Sequence, residues 1–100
     1  MTYTPSSDKA GIRHTIRVLT ADGWTLTEVQ SPGDDPEPVK GEADALALIT
    51  DLDDAFLVVE RGDEVGWVRF VQGNDPIEVV CDYTVNLTAV VEDQRTWREE

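Results

Sequence analysis

The sequence predicts a single α+β domain, with an antiparallel sheet of about four strands and helices packed on one face. Three observations lead there. Two stretches, near positions 7–21 and 42–52, place apolar residues at helical spacing. After position 55, apolar runs rich in β-branched residues follow one another through tight turns, the pattern of an antiparallel meander. Finally, 100 residues, 40% of them apolar, suffice for one core and not for two domains.

The elements follow in order α-β-α-β-β-β-α. Pro5-Ser6-Ser7-Asp8 has the form of a helix start, with Ser6 or Ser7 as cap and Asp8 in the first turn. Behind it Ile12, Ile16 and Leu19 share a helical face, and Lys9, Arg13 and Arg17 form a parallel basic stripe. Asp22-Gly23 stops this helix, expected over 7–21. In Trp24–Gln30, Trp24 and Leu26 fall on one face of a half-buried strand, although Val29 breaks the alternation. Residues 31–38 hold three prolines and three acids and read as a loop, with Val39-Lys40 either extending a short strand or belonging to it. Ala45, Leu48, Ile49 and Leu52 form the apolar stripe of a second helix over 42–52. Asp53-Asp54 closes that helix poorly, because acids oppose the dipole at a helix C-terminus.

Ala55–Glu60 reads as a buried strand, Arg61-Gly62-Asp63-Glu64 as a hairpin turn and Val65–Gln72 as the next strand. Gly73-Asn74-Asp75-Pro76 is a second turn, and Ile77–Tyr83 the last strand. Leu87, Val90, Val91, Gln94 and Trp97 share one face of a closing helix over 87–97, with Asn86 as its cap.

Composition excludes several function classes. With 21 Asp and Glu against 8 Lys and Arg the net charge is −13, which opposes nonspecific binding to nucleic acid or anionic lipid. No apolar run approaches the length of a membrane span, and the N-terminus lacks the basic-then-apolar pattern of a signal peptide, so a cytoplasmic location in a bacterial or archaeal cell is expected. Cys81 and His14 each occur once, so neither a disulfide nor a zinc site is expected. Nothing in the spacing joins them as nucleophile and base; Cys81 reads as a small core residue and His14 as a solvated one. Asp51-Leu52-Asp53-Asp54 lacks the turn glycine and the later bidentate Glu of a calcium loop. The glycines form no phosphate-cradling pattern. No enzyme activity, cofactor or metal is expected. Trp24, Trp67 and Trp97 read as core or core-edge residues.

The charge is unevenly placed. Residues 21–66 hold 13 acids against Lys40 and Arg61, whereas residues 1–20 hold Lys9, Arg13 and Arg17 against Asp8. The candidate partner-binding acids are therefore Asp34, Asp35, Glu37, Glu42, Asp44, Asp51, Asp53, Asp54, Asp63 and Glu64. Three readings compete for this acidity. One is a genome-wide preference for acids, consistent with only two Lys against six Arg. Another is a protein partner with a basic face, which the charge would steer into contact. The third is mimicry of DNA, which needs carboxylates arrayed like phosphates on one elongated face.

From Val65 to Leu87 the sequence resembles a group of small uncharacterised proteins of bacteriophages and prophages. The resemblance rests on an apolar strand ending in Gly73-Asn74-Asp75, a second strand ending in Asp82-Tyr83-Thr84, and a step to Asn86-Leu87. It covers about a quarter of the chain, and Cys81 stands where that group commonly has Ser. The resemblance implies a phage or mobile-element origin and a small α+β domain, without an activity. Structurally, Gly73 and Asn74 suit a hairpin, Asp82 and Thr84 suit bonds to local backbone, and Tyr83 and Leu87 suit packing.

The expected function is accessory, acting by protein–protein binding. In its sharpest form, the acidic middle inhibits a basic, nucleic-acid-handling host protein. The alternative is a structural or self-assembling small phage protein, and a homodimer is compatible with the two-signed surface.

Overall fold

A computed structural model of the chain describes residues 8–33, 35–52, 54–72, 80–88 and 90–91. Helix α1 (Asp8–Ala21) buries Ile12, Ile16 and Leu19, the stripe its periodicity announces. It ends in a Schellman motif. The Trp24 N–H reaches the Leu19 carbonyl at 3.1 Å, the Gly23 N–H reaches that of Thr20 at 3.1 Å, and Gly23 takes φ +94°. Gly23 has the left-handed conformation that only glycine adopts without strain, so the Asp22-Gly23 stop has a stereochemical cause.

Strands β1 (Thr25–Gln30), β2 (Glu37–Pro38), β3 (Asp54–Arg61), β4 (Glu64–Val71) and β5 (Val80–Tyr83) form one sheet in the order β2-β1-β3-β4-β5. Each neighbouring pair is antiparallel. The sheet thus has five strands rather than about four. The extra one, β2, lies in the stretch read as loop, where Glu37 and Pro38 pair with Val29 and Glu28 at the sheet edge. Proline is tolerated there because an edge strand need not donate on its outer side. The Gly62-Asp63 turn joins β3 to β4, with only Gly62 at positive φ (+62°), as a type II′ turn requires.

Strand β3 is central, and Ala55, Leu57 and Val59 on its helix side are fully buried. Val29, Gly66, Val68 and Phe70 lie opposite them on the same face. Helices α1 and α2 (Glu42–Thr50) cover this face, with Ala45 and Ile49 of α2 buried and Leu48 and Leu52 packed at its margin. A β-bulge at Thr27 accounts for the broken alternation of β1. Leu26 opposes Val59 and Glu28 opposes Val58, so Val29 returns to the core face.

A second bulge corrects the reading of Cys81. Asp82 opposes Arg69 and Val80 opposes Phe70, leaving Cys81 as the extra residue, exposed rather than in the core. The acidic C-terminus of α2 is closed from across the fold by the Gln72 side-chain amide, which donates to the Ile49, Thr50 and Leu52 carbonyls. Beyond β5, Val85–Leu87 form a 3₁₀ turn. Asn86 lies within this turn rather than capping it; its Oδ1 accepts from the Thr84 hydroxyl at 2.6 Å and its amide donates to the Val65 carbonyl at 3.0 Å, tying the turn to β4. Leu87 and Val91 are buried in the common core. The rest of the expected closing helix, Trp97, the Ser6/Ser7 cap and the 73–76 turn lie outside the described residues.

The 3₁₀ turn packs directly on Gly66. A Cβ added there would stand 2.8 Å from Thr84 Oγ1, 3.1 Å from Asn86 Oδ1 and 3.1 Å from Leu87 Cγ. Gly66→Ala is therefore expected to destabilise the domain by about 1–3 kcal/mol, the usual scale of overpacking. Urea denaturation checks this, and an unchanged midpoint would show that the turn does not pack as described.

Candidate functional site

The described acids fall into two groups. Several already have partners. Asp54 makes a forked pair with Arg69 at 2.9 and 2.6 Å. Glu64 and Asp22 share Arg61 at 3.1 and 2.7 Å, and Arg61 also lies over the Trp24 ring at 4.6 Å. Asp44 accepts the Lys40 N–H at 3.0 Å, and Asp82 accepts the Tyr83 N–H at 2.8 Å. By contrast, Asp35, Glu37, Glu42, Asp51 and Asp63 are exposed, and their carboxylates make no ion pair or hydrogen bond among the described residues.

Three of the unpaired acids converge. Asp35, Glu37 and Asp51 line a groove of about 390 Å³ between the β1–β2 edge and the C-terminal end of α2. Its floor is apolar, built from Val29, Leu48 and Leu52, with Ser31 at its rim. The fold produces this groove for simple reasons. The edge pairing of β2 holds Glu37 against Val29, and α2 ends at Thr50, so Asp51 projects beside the same edge. Carboxylates over an apolar floor suit a cationic side chain with a hydrocarbon stem, such as Lys or Arg. The described residues contain no group of three or more His, Cys, Asp or Glu placed to hold a metal ion.

The remaining predicted partner-binding acids lie elsewhere. Asp63 and Glu64 sit at the β3–β4 hairpin, outside the lining of this groove. Glu42 begins α2 and lines a second groove of about 460 Å³ with Arg13, Ile16, Arg17, Ala43 and Leu46. Asp54 lies on the helix-free face of the sheet. The described carboxylates thus occupy both ends and both faces of the sheet. Asp34, Asp53, Gly73, Asn74 and Asp75 lie outside the described residues. Tyr83 packs against the core, and Asp82 is exposed on β5.

Sequence reasoning missed two features. One is the helix-free sheet face, where Phe56 and Trp67 meet edge to face at 5.3 Å and Arg69 lies 5.5 Å over Phe56. The strand alternation of Phe56, Trp67 and Arg69 was the available signal. The other is the arginine groove, signalled by the basic stripe but needing the position of α2 to complete it. His14, half-buried beside this stripe, has its pKa lowered by burial and by Arg17. Cys81 and His14 line neither groove.

No protein-family model, curated protein or solved structure matches this chain. No helix among the described residues is long and apolar enough to cross a membrane.

The hydrogen bonds from Arg69 hold the Asp54 carboxyl below its ordinary pKa. Because the folded-state value is depressed, the stabilisation is complete above the unfolded value of about 4 and is lost as pH falls through the lower folded value. Urea denaturation between pH 2 and 6 should therefore show a steeper acid loss in the native chain than in Asp54→Asn. Parallel curves would mean that the pair contributes nothing to folding.

Proposed function

We propose that the chain is a non-enzymatic protein-binding module of phage or mobile-element origin, and that the acidic groove takes a basic segment of its partner. The carrying observation is the convergence of unpaired Asp35, Glu37 and Asp51 over the apolar floor of Val29, Leu48 and Leu52. The net charge of −13 would speed encounter with a basic surface. The phage-type signature between Val65 and Leu87 supports the origin.

A basic nucleic-acid-handling host protein is the partner class this charge suits best, with inhibition as the outcome. The groove favours recognition of a local basic segment over imitation of a phosphate row, since such a row would need carboxylates continuous along one face. The reading of a binding module rests on both grooves being walled mainly by carboxylates, arginines and aliphatic side chains, with Ser31 in the acidic groove and neither Cys81 nor His14 in either lining.

The test is capture from host lysate on the immobilised chain at about 0.05 and 1 M salt. A basic protein retained at low salt, released at high salt, and lost with Asp35→Asn, Glu37→Gln and Asp51→Asn combined is the expected result. Equal retention by the native chain and this triple variant would refute the groove as the site.

A further inference from the structure

We propose that the chain pairs with a second copy of itself across α2, the arginine groove of each copy receiving the acidic groove of the other. The inference rests on the reading of the acidic groove as a site for cations, and it names a cation source within the same chain.

The first support is the state of the basic stripe. Arg13 and Arg17 are exposed, one helical turn apart, and neither meets a carboxylate in an ion pair among the described residues. Glu42 lines the same groove yet forms no ion pair with either arginine among the described residues. Ile16 and Leu46 give their groove an apolar floor like that of the acidic one.

The second support is the geometry of α2. Its exposed residues Ala43, Ala47 and Asp51 follow at four-residue spacing, so they form one stripe. Ala43 lines the arginine groove and Asp51 lines the acidic groove, about 12 Å apart along the helix axis. Ala47 lies midway. Two α2 helices crossing antiparallel at Ala47, about a two-fold axis, would bring the arginine groove of each against the acidic groove of the other. The contact is self-complementary and closes at two copies. The small side chain of Ala47 permits the close approach of about 8 Å that tight helix pairs reach.

The third support is electrostatic. The N-terminus of a helix carries partial positive charge and the C-terminus partial negative charge. Arginines stand beside the N-terminal turn of α2, and Asp51, Asp35 and Glu37 stand near its C-terminal end. The C-terminal end therefore carries charge of the unfavourable sign, whereas Glu42 and Asp44 in the first turn suit the N-terminal end. The arginines of an antiparallel second copy supply the opposite charge to that C-terminal end. At about 0.15 M salt the Debye length is near 8 Å, so general repulsion between two chains of charge −13 is largely screened while pairs in contact persist.

The test is sedimentation equilibrium of the purified chain and of two charge-reversed variants, with circular dichroism to confirm folding. The native chain is expected to dimerise at about 0.15 M salt and to dissociate at about 1 M. Arg13→Glu with Arg17→Glu should be monomeric, because two acidic grooves then face each other. Asp35→Lys with Asp51→Lys should be monomeric for the converse reason. Mixed together, the two variants should form a one-to-one dimer, since both contacts again join opposite charges. If a reversal variant does not fold, Arg17→Gln and Asp51→Asn should each weaken the native dimer by about tenfold. A native chain still monomeric at about 1 mM, or folded variants that fail to pair on mixing, overturns the proposal. Dimerisation without lysate capture would leave this inference standing and remove the proposed function; capture by a monomeric chain would do the reverse.

Discussion

The fold depends on keeping the inward row of β3 inward. Ala55, Leu57 and Val59 are fully buried, and the core residues of β1 and β4 are registered against them. A strand has a period of two, so a one-residue slip would turn its whole apolar set to the other face. Two bulges prevent that error in the flanking strands. The extra residue Thr27 restores Val29 to the core after Leu26, and its hydroxyl donates to the Val58 carbonyl at 2.9 Å. The extra residue Cys81 lets Val80 oppose Phe70 while Asp82 opposes Arg69. The same phase relation sends Phe56, Trp67 and Arg69 to the helix-free face, where they pack on one another.

Much of this was legible from local chemistry. The periodicities of Ile12-Ile16-Leu19 and of Ala45-Ile49 marked the buried helix faces, and Asp22-Gly23 and Gly62-Asp63 marked two reversals. What could not be read was long-range. The break at Val29 is visible in the sequence, but its resolution as a bulge depends on β3, and so does the edge pairing that makes a strand of Glu37-Pro38. Cys81 looked like a core residue because Val79-Val80-Cys81 is a run of apolar type; only the partner strand shows which member is extra. Asn86 likewise has the composition of a cap. The fold instead sets it inside the Val85–Leu87 turn, where its Oδ1 accepts from the Thr84 hydroxyl and its amide donates to the Val65 carbonyl, 21 residues earlier.

The candidate site was partly legible for the same reason. The acid-rich stretch between Asp22 and Glu64 contains Asp35, Glu37 and Asp51, which the fold gathers in one groove, but charge in sequence does not show which carboxylates are already neutralised. Asp54 belongs to Arg69, and Asp22 and Glu64 belong to Arg61. These pairs are partly exposed, so they hold side chains in place more than they add stability. Their effect is to remove three acids from the pool available to a partner. The acids left over at the β1–β2 edge converge because a short strand and a helix end meet there.

A genome that prefers Asp and Glu would account for −13 without any partner, and the total charge alone does not separate that account from recognition. Arrangement does bear on it. Random enrichment would scatter carboxylates over the surface and give nearby cations frequent partners. Arg61 and Arg69 follow that expectation, each held by a carboxylate on the sheet. Among the described residues Arg13 and Arg17 do not, although Glu42 lines the same groove. The unpaired carboxylates that converge and the unpaired arginines both border α2, at opposite ends, and each set stands over aliphatic side chains that water does not stabilise. Compositional bias supplies acids. It does not explain why carboxylates without partners among the described residues gather at the C-terminal end of α2, where the dipole disfavours them, and a cationic surface brought to that end relieves the conflict.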